Sequence, residues 1–427
     1  MSTAIPFHLR LTGSALGAFA WTVRHTVPRP RRVDGRVAPS AAHALRILVV
    51  RLDELGDMVL ASGFFRELRR HHPAAHITLV ASAPGAEIMA GSPHLDRVIA
   101  FRESVAAPLR PLLMPFIARR FAHRYLSDGP YDLAIQPRWD VDTRYASWIV
   151  HFSAARHRVA YASCVTPRKS VFNRGLDGLF TTVIDDRAVR HESDRGSVLL
   201  AALGFDTSTA RTEVWPKPAP PRAHVEAALA RLSASAGPVV AMSPSGGHSA
   251  LKAWPVERFA LVARALSSAD RATIVLLGAP ADRHLADELR ALAALSPGQV
   301  VDLVGRTSLE EIVSILDRAN VYIGNDTGLV HIASARGRPT VSMYGSSPAS
   351  SFGPRGERDR VIWLRLPCGP PFNGPPYARH GLAHGLPAER CTACIHARPR
   401  CLDDIGVEEV LDACRAALHA TAHRSAS

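Results

Sequence analysis

The sequence lacks the features that define several common classes of protein. It has no apolar run approaching the roughly 20 residues that a membrane-spanning helix needs. The glycine fingerprint Gly-x-Gly-x-x-Gly is missing after the first predicted strand, and so is a Walker-type lysine loop, which argues against a dinucleotide dehydrogenase and a P-loop NTPase. Zinc-finger, RNP-type and basic-region-plus-heptad signatures are missing too, which argues against a nucleic-acid-binding protein.

The composition is that of a folded protein with a strong positive charge. Hydrophobic residues make up 47% and charged residues 21% of the 427-residue chain, as in globular proteins. A mass of 46.1 kDa is enough for two domains, each with its own core. The net charge of +13 favours an anionic partner. We expect a phosphorylated substrate or an anionic lipid surface rather than nucleic acid; the alternative is that the arginines only form solvated faces.

Residues 1–44 are predicted to be a basic extension ahead of the first domain. The segment from Leu11 to Val23 is moderately apolar, and a group of arginines follows it: Arg24, Arg29, Arg31 and Arg32. A signal peptide carries its positive charges before the apolar stretch, so this order does not fit one. The extension is expected either to rest on an anionic membrane surface or to be a tail without a fold of its own.

Strand-like and helix-like segments alternate along the rest of the chain. Buried-strand patterns at Arg46–Leu52 and His76–Ala81 enclose a helix predicted from Met58 to His72, so this part is a βαβ unit and implies a parallel sheet. Further predicted strands are Val98–Phe101, Leu133–Ile135, Arg156–Tyr161, Val239–Met242, Thr273–Leu277, Val300–Leu303 and Val321–Gly324.

A proline-rich segment divides this alternating pattern into two halves. Four prolines lie between Trp215 and Pro221, where neither a helix nor a strand would tolerate them, so we place the domain linker there. We predict an α/β protein with two doubly wound, Rossmann-like domains, over residues 45–220 and 221–427. The two domains are expected to face each other across a cleft, with ligands outside the carboxyl ends of the strands.

The segment after Val321–Asn325 is the first candidate binding site. Asp326 or Thr327 can cap a helix that begins there, and Gly328 lets a ligand approach the backbone closely. The first turn of a helix offers unpaired N–H groups and the positive end of the helix dipole, so it can bind a phosphate group. The alternative is an ordinary capped helix start.

Three further loops that follow predicted strands carry candidate residues. Asp57 in Leu55-Gly56-Asp57 is a candidate general base toward a substrate hydroxyl, unless it only caps the following helix. Lys252 lies in a loop of small residues and could place an ammonium against phosphate oxygens, or could be a solvated surface lysine. Asp282, after a third strand, could hold ribose hydroxyls.

These motifs occur together in one order along the chain. They are Leu55-Gly56-Asp57, Lys252-Ala253-Trp254-Pro255, Gly305-Arg306-Thr307-Ser308-Leu309, Asp326-Thr327-Gly328-Leu329-Val330-His331, Cys401-Leu402-Asp403-Asp404-Ile405 and Val407-Glu408-Glu409-Val410. The series resembles the family-9 glycosyltransferases, typified by ADP-heptose:lipopolysaccharide heptosyltransferases. The resemblance extends from about Arg46 to about Ala417 and leaves the first 44 residues uncovered.

The resemblance implies a GT-B fold, in which the N-terminal domain binds the acceptor and the C-terminal domain binds the nucleotide sugar. It also implies an inverting, metal-independent transfer with Asp57 as the catalytic base. A lysine and a helix N-terminus would stabilise the charge of a departing ADP without a metal. The residues that match the family's diphosphate site are Lys252, Asp326, Thr327, Gly328 and Leu329, with His331 close by. Asp282 and Thr307 fall where the family contacts ribose and adenine.

The first loop departs from the family's pattern. Asp53 and Glu54 add two carboxylates beside Asp57, where relatives often have small polar residues. In the segment that follows Leu133–Ile135, Arg138 and Arg144 are plausible contacts for an anionic acceptor. The acceptor itself is not identified by these residues.

Four cysteines lie in one loop-rich stretch near the C-terminus: Cys368, Cys391, Cys394 and Cys401. In a reducing compartment such a group favours a structural metal, zinc or iron, over disulfides. The alternative is a set of free thiols.

The sequence thus predicts a cytoplasmic glycosyltransferase at the inner face of the inner membrane. It is expected to move heptose from ADP-heptose to a lipopolysaccharide inner-core or related glycan acceptor and to need no catalytic metal. One alternative is a family-9 transferase that uses another sugar nucleotide or a protein hydroxyl. Another is a non-catalytic scaffold on the same fold, which the retention of Asp57, Lys252 and Asp326 makes less favoured.

Overall fold

The chain forms two compact units in a computed structural model. The described residues are 31–32, 45–103, 105–106, 109–207, 211–247, 249–366, 368, 382–383, 386–387, 394 and 396–425. The first unit consists of the described residues up to Ala188 and of residues 193–207. The second unit consists of Val189–Glu192 and of the described residues from Arg211 onward. The proline-rich segment from Trp215 to Pro221 lies near the start of the second unit.

The first unit contains seven strands and seven α-helices among the described residues. They are β1 (Arg31–Arg32), β2 (Arg46–Arg51), α1 (Leu55–Leu60), α2 (Ser62–His71), β3 (His76–Ser82), α3 (Ala83–Met89), β4 (Arg97–Phe101), α4 (Arg110–Tyr125), β5 (Leu133–Gln136), α5 (Ser147–Phe152), β6 (His157–Tyr161), α6 (Pro167–Phe172), β7 (Thr182–Ile184) and α7 (Glu192–Ala202). The strands form one parallel sheet in the order β1-β7-β6-β5-β2-β3-β4.

The middle of this sheet is covered on both faces. In β2 the side chains of Ile47, Leu48, Val49 and Val50 have no exposed surface. A parallel strand with helices on both faces needs apolar residues at every position, and the run Ile-Leu-Val-Val supplies them. The sheet therefore fixes the end of β2 and the loop after it.

The second unit repeats the same kind of architecture. Its elements are α8 (Ala223–Ser233), β8 (Val239–Ser243), α9 (Val256–Ala269), β9 (Thr273–Leu276), α10 (Arg283–Ala293), β10 (Val300–Asp302), α11 (Leu309–Leu316), β11 (Val321–Asn325), α12 (Gly328–Ala335), β12 (Thr340–Tyr344), α13 (Ala349–Phe352), β13 (Arg360–Trp363), β14 (Leu382–Ala383), β15 (Leu386–Pro387), α14 (Arg400–Asp403) and α15 (Val407–Ser425). Strands β8–β13 form a parallel sheet in the order β10-β9-β8-β11-β12-β13, and β14 and β15 form a separate antiparallel pair.

The C-terminal motif belongs to the core of the second unit. Leu402 and Ile405 are fully buried, and the carbonyl oxygen of Ile405 accepts hydrogen bonds from Trp254 Nε1 (3.2 Å) and Arg258 Nη1 (2.6 Å). The Cys-Leu-Asp-Asp-Ile and Lys-Ala-Trp-Pro motifs are thus in direct contact, and the C-terminal one supports the loop that carries Lys252.

The α/β prediction with two doubly wound parallel sheets is confirmed, but one predicted helix is wrong. The segment Met58–His72 contains parts of two helices, α1 and α2, because the chain turns at Ala61. Ser62 Oγ donates to the carbonyl oxygen of Val59 (2.6 Å), which competes with the helical hydrogen bonds, and glycine at position 63 weakens the helix further. Six of the strands were not predicted from the sequence: β1, β7, β12, β13, β14 and β15.

The structure also bears on the N-terminal extension. Arg31–Arg32 pair in parallel with Thr182 and Val183 at the edge of the first sheet, so this part of the extension is a strand. The apolar segment from Leu11 to Val23 lies outside the described residues. None of the helices in the described part of the chain combines the length and apolar character needed to cross a bilayer.

An ion pair in the second unit gives a testable dependence of stability on pH. Hydrogen bonds from Arg222 lower the pKa of Glu311 from its ordinary 4.5 to about 2, and Glu311 also accepts from Ser308 N (2.8 Å) at the start of α11. The folded state therefore holds fewer protons than the unfolded state between these two values. The stabilisation is complete above about pH 4.5 and is lost as the pH falls toward about 2.

We expect Glu311→Gln to lower the melting temperature by a few degrees near neutral pH. Chemical denaturation of both proteins over a series of pH values checks this, and the difference between them should shrink below about pH 4.5. The matched control is Glu288→Gln on α10, where the side chain is exposed. A difference that does not change with pH would mean that the glutamate acts by packing alone.

Candidate active site

Each sheet has one pair of adjacent parallel strands from which the chain continues toward opposite edges of the sheet. In the first sheet this pair is β2 and β5, and in the second it is β8 and β11. The loops that leave the carboxyl ends of such a strand pair diverge, and the crevice between them is where doubly wound sheets bind ligands. Asp57 follows β2, and Lys252 and Asp326 follow β8 and β11.

Asp57 lies in the first turn of α1, beside this crevice of the first sheet. Glu54 occupies the N-cap position, so the alternative that Asp57 is a helix cap is wrong. The Asp57 side chain is 10% exposed, and Arg138 Nη1, from the loop after β5, lies 3.2 Å from its Oδ2. An arginine thus holds the carboxylate at the point where the two loops meet.

Arginines also accompany the two additional carboxylates of this loop. Arg138 lies 3.6 Å from Asp53, and Arg144 Nη2 lies 2.9 Å from Glu54 Oε1. Arg138 and Arg144, which the sequence suggested as contacts for an anionic acceptor, therefore pair with the carboxylates of the loop after β2. Asp57 does not stand in an uncompensated cluster of negative charge.

A buried lysine fixes the backbone that carries Arg138. Lys169 Nζ donates to the carbonyl oxygens of Arg138 (2.9 Å), Trp139 (3.1 Å) and Tyr161 (3.1 Å). Burial lowers the pKa of Lys169 to about 8. Three N–H donors of one ammonium match three carbonyls, so Lys169 holds the end of β5 against the end of β6. A single lysine in a short helix carries no sequence signal for this role.

A cavity of about 320 Å³ opens beside the same loop within the first unit. Its charged lining consists of Glu54, Arg102, Glu103, Arg110 and Arg144. Three of these five side chains are arginines, whose planar donors suit carboxylate and phosphate groups. The cavity therefore suits an acidic or phosphorylated ligand.

In the second unit the structure brings Lys252 and Asp326 together. Lys252 Nζ lies 2.5 Å from Asp326 Oδ2, and the two side chains are 16% and 7% exposed. The alternative that Lys252 is a solvated surface lysine is therefore wrong. His331 Nε2, one turn along α12, lies 3.8 Å from the other oxygen of Asp326. Three predicted site residues thus share one buried cluster.

The N-terminus of α12 carries no side-chain cap. Thr327 occupies the N-cap position with extended backbone, but its side chain makes no capping hydrogen bond, so the predicted cap is wrong for Thr327. The carboxylate of Asp326, the other candidate, lies against Lys252 instead. The N–H groups of the first turn, which begins at Gly328, can therefore bind an external acceptor such as a phosphate.

Unsatisfied polar groups lie at the carboxyl edge of the second sheet. Three of the buried side-chain atoms that make no hydrogen bond belong to this part of the second unit: Thr307 Oγ1, His331 Nδ1 and Ser347 Oγ. All three residues lie in or beside loops at the carboxyl edge of the second sheet. Buried polar groups in native proteins nearly always have partners, so these atoms indicate a place for a polar ligand. Ser347 was missed from the sequence, because a serine in a loop carries no signal by itself.

Asn325 is a second residue that sequence reasoning missed. It ends β11 with no exposed surface, and it uses every polar atom of its side chain. Its Oδ1 accepts from Trp254 N (3.0 Å), and its Nδ2 donates to the carbonyl oxygens of Pro244 (3.0 Å) and Ser245 (3.1 Å). Asn325 thus fastens both ends of the loop that carries Lys252. A polar residue at the end of an apolar strand was the available signal.

Asp282 lies after β9, and its side chain stabilises the same region. Its Oδ1 accepts from Ser245 Oγ (2.7 Å), and its Oδ2 accepts from Ala279 N (2.8 Å). Each carboxylate oxygen can accept a further hydrogen bond. The predicted contacts of Asp282 with ribose and of Thr307 with the nucleoside stay predictions.

Replacing Asn325 by alanine is expected to loosen the Lys252 loop. The change leaves three buried backbone groups without partners, so we expect a loss of about 1–3 kcal/mol in the free energy of unfolding. ADP should bind about five- to tenfold more weakly, which titration calorimetry measures. Asn320→Ala is a matched control, since Asn320 Oδ1 accepts from Val239 N (2.8 Å) at the opposite end of the sheet. Equal effects of both changes on ADP binding would contradict the role of Asn325.

The cysteine cluster is only partly within the described residues. Cys394 is exposed, Cys368 and Cys401 are half-buried, and Cys391 lies outside the described residues. No three potential metal ligands among histidine, cysteine, aspartate and glutamate come together in the part of the chain that the structure describes. The four-cysteine metal site stays a prediction.

Comparisons with known proteins agree with this arrangement. The sequence profile of "Glycosyltransferase family 9 (heptosyltransferase)" matches residues 120–377. Lipopolysaccharide heptosyltransferase 2 of Salmonella typhimurium is 27% identical over 75% of this chain and 88% of its own length. The structure of ADP-heptose lipopolysaccharide heptosyltransferase II of Escherichia coli superposes with a TM-score of 0.63 at 21% identity, over 88% of this chain and 99% of that chain.

A second solved structure, Escherichia coli heptosyltransferase WaaC with ADP, gives a TM-score of 0.57 at 20% identity, over 74% of this chain and 93% of that chain. These structural likenesses show the GT-B fold. The family profile covers more than half of the sequence and includes Lys252 and the segment from Asp326 to His331. The chain belongs to glycosyltransferase family 9.

Proposed function

We propose that this protein is an inverting glycosyltransferase that moves heptose from ADP-heptose to an acceptor sugar of the lipopolysaccharide inner core. The observation that carries the proposal is the cluster of Lys252, Asp326 and the uncapped N-terminus of α12 at the crevice of the second sheet. The names of the relatives support the choice of sugar and acceptor, since several are lipopolysaccharide heptosyltransferases.

The donor's diphosphate would bind at this cluster. The Lys252 ammonium and the N–H groups of the first turn of α12, from Gly328 onward, supply positive charge from two sides. As the bond between the sugar and the phosphate oxygen breaks, negative charge grows on the departing ADP, and these groups stabilise it. We propose that they take the place of a catalytic metal ion. The buried polar atoms of Thr307, His331 and Ser347 offer further contacts to the nucleotide.

Asp57 would act as the general base on the acceptor. Its carboxylate takes the proton of the acceptor hydroxyl as the hydroxyl oxygen bonds to the anomeric carbon and ADP departs. One displacement of this kind inverts the anomeric centre. Arg138, 3.2 Å from Asp57 Oδ2, orients the carboxylate. The arginine-lined cavity beside Glu54 would hold the acidic or phosphorylated groups of the acceptor.

A thermal-shift series with sugar nucleotides tests this proposal. ADP-heptose and ADP should raise the melting temperature of the purified protein more than UDP- and GDP-sugars do, because binding to the folded state alone stabilises it. Incubation with ADP-heptose and an inner-core acceptor should then give a product that is heavier by one heptose, detected by mass spectrometry. Stabilisation by ADP-heptose without turnover on any acceptor would favour a non-catalytic binding protein, and preference for another sugar nucleotide would favour a different donor.

We also propose that the protein works in the cytoplasm on the inner face of the inner membrane. The support is the net charge of +13, which attracts anionic lipids. The relatives named as lipopolysaccharide heptosyltransferases imply an acceptor that is itself anchored in a membrane. The sequence adds an apolar segment with a following group of arginines between Leu11 and Arg32 as a candidate contact.

The cysteine cluster gives one more prediction. If Cys368, Cys391, Cys394 and Cys401 hold a structural metal, freshly purified, reduced protein should contain about one zinc or iron per chain. A chelator should then lower the melting temperature without changing the affinity for ADP. Elemental analysis checks the content, and a Cys391→Ser variant with unchanged metal would contradict the thiolate site.

A further inference from the structure

Helix α4 of the first unit presents an apolar ridge to solvent. The helix buries Met114, Ala118, Phe121 and Ala122 against the unit. Its opposite side, together with the residue just before the helix, carries four exposed large hydrophobic residues, which we call the α4 ridge: Leu109, Leu112, Leu113 and Phe116. Phe116 is 72% and Leu112 61% exposed, the two highest values for large hydrophobic side chains among the described residues. Apolar side chains that stay exposed to water do not stabilise the fold.

The same helix is strongly basic beyond the ridge. Arg119, Arg120, His123 and Arg124 are all exposed, and the sequence has no acidic residue between Glu103 and Asp128. Arg120 is paired with Glu103 (2.9 Å), which leaves the positive charge in excess. An apolar ridge followed by arginines matches the surface of an anionic bilayer, where apolar side chains enter the lipid and basic ones meet the headgroups.

The size of the ridge distinguishes lipid from protein as its partner. Four side chains cover a few hundred Å² at most, whereas a stable protein interface takes about 800 Å² from each partner. Insertion into a lipid surface has no such requirement, because each apolar side chain that leaves water contributes separately.

The position of the ridge adds an independent argument. Arg110 and Met114 of α4 line the 320 Å³ cavity, together with Glu54 and Arg144 of the candidate active site. The ridge and the cavity thus share the N-terminal half of one helix. A surface on which the ridge rests would lie one helix diameter, roughly 10–12 Å, from the residues of α4 that line the cavity.

We propose that the α4 ridge and its arginines dock the protein on an anionic phospholipid bilayer and thereby present the cavity to a lipid-linked acceptor. This deepens the proposed function and rests on it for the lipid anchor of the acceptor. Docking through α4 is separate from any contact made by the N-terminal extension. Two contributions, apolar and electrostatic, are what firm attachment to a membrane requires.

Co-sedimentation of the full-length protein with vesicles, without either substrate, tests the proposal. Leu112→Ser combined with Phe116→Ser should weaken binding to phosphatidylglycerol vesicles by about tenfold or more. Arg119→Gln and Arg124→Gln should each weaken it about fivefold at low salt and have little effect at high salt. The matched control combines Leu261→Ser with Leu292→Ser, which are 47% and 40% exposed on the second unit, and should bind as the unchanged protein does.

Two results would overturn the proposal. One is a ridge variant with an unchanged melting temperature that still binds the vesicles as tightly as the unchanged protein. The other is a ridge variant that changes only self-association in sedimentation equilibrium, which would make the ridge a contact between copies of the chain. Deleting residues 1–30 distinguishes binding through the α4 ridge from binding through the N-terminal extension. The ridge substitutions should weaken vesicle binding in the truncated protein as they do in the full-length protein. Stabilisation by ADP is measured on the same variants, so a failure of docking is distinguishable from a failure of the proposed function.

Discussion

Turnover should fall by roughly two orders of magnitude or more when Asp57 is replaced by asparagine, the usual scale of general-base catalysis. Asparagine keeps the shape of the side chain but cannot accept the proton of an acceptor hydroxyl. Arg138 retains a partner in Asp53, 3.6 Å away, so the loop should keep its structure. Steady-state kinetics with ADP-heptose and an inner-core acceptor measures the loss.

The control for this change is Asp53→Asn. It alters an aspartate that shares Arg138 but lies before the helix, and we expect a clearly smaller loss of turnover. Affinity for ADP should be normal in both variants, because both residues belong to the first unit and the proposed diphosphate site to the second. Near-normal turnover of pure Asp57→Asn protein would remove Asp57 from the role of base.

Replacing Lys252 by alanine should weaken the binding of ADP by about ten- to a hundredfold, the range for a charge-assisted hydrogen bond. Adenosine carries no phosphate, so its affinity should change much less. Titration calorimetry with the two ligands separates loss of the ammonium from general damage to the site. If both ligands are weakened equally, Lys252 supports the structure of the loop rather than the diphosphate.

The chain offers a matched control for this change as well. It contains three lysines in all, Lys169, Lys217 and Lys252. Lys217 is exposed in the proline-rich segment at the start of the second unit, so Lys217→Ala removes the same charge away from the site. Its effect on ADP binding should be within about twofold of the unchanged protein, as for other surface charges.

The strands and loops that form the site could be predicted from the sequence, because each of them is a short segment with its own recognisable pattern. Each central strand is an apolar run, and each candidate residue follows such a run within a short loop, as Asp57 and Asp326 do. Position in the chain then fixes position on the sheet, since parallel strands all present their carboxyl ends at one edge. The short strand β7 was missed because Thr182–Ile184 is too brief to show a pattern.

The partners within the site could not be predicted in the same way. Lys252 and Asp326 are separated by 74 positions, and nothing in either segment indicates that the ammonium meets this carboxylate. Lys169 and Asn325 form hydrogen bonds with backbone carbonyl and N–H groups. Every residue type offers the same backbone carbonyl, so the sequence does not show which backbone groups these side chains contact. The absence of a cap on α12 was also hidden, because Thr327 is a residue that normally supplies one.

The ion pair between Lys252 and Asp326 affects which anions the proposed diphosphate site can select. With a carboxylate 2.5 Å from its ammonium, the lysine already has a counterion before any nucleotide arrives. A weakly bound anion such as chloride or inorganic phosphate must compete with that carboxylate and gains little. A diphosphate can also bind the N-terminus of α12. These additional contacts help it to displace the carboxylate of Asp326 from Lys252, which chloride and inorganic phosphate cannot do as well. The enzyme would therefore stay responsive to its donor in a solution that is rich in small anions.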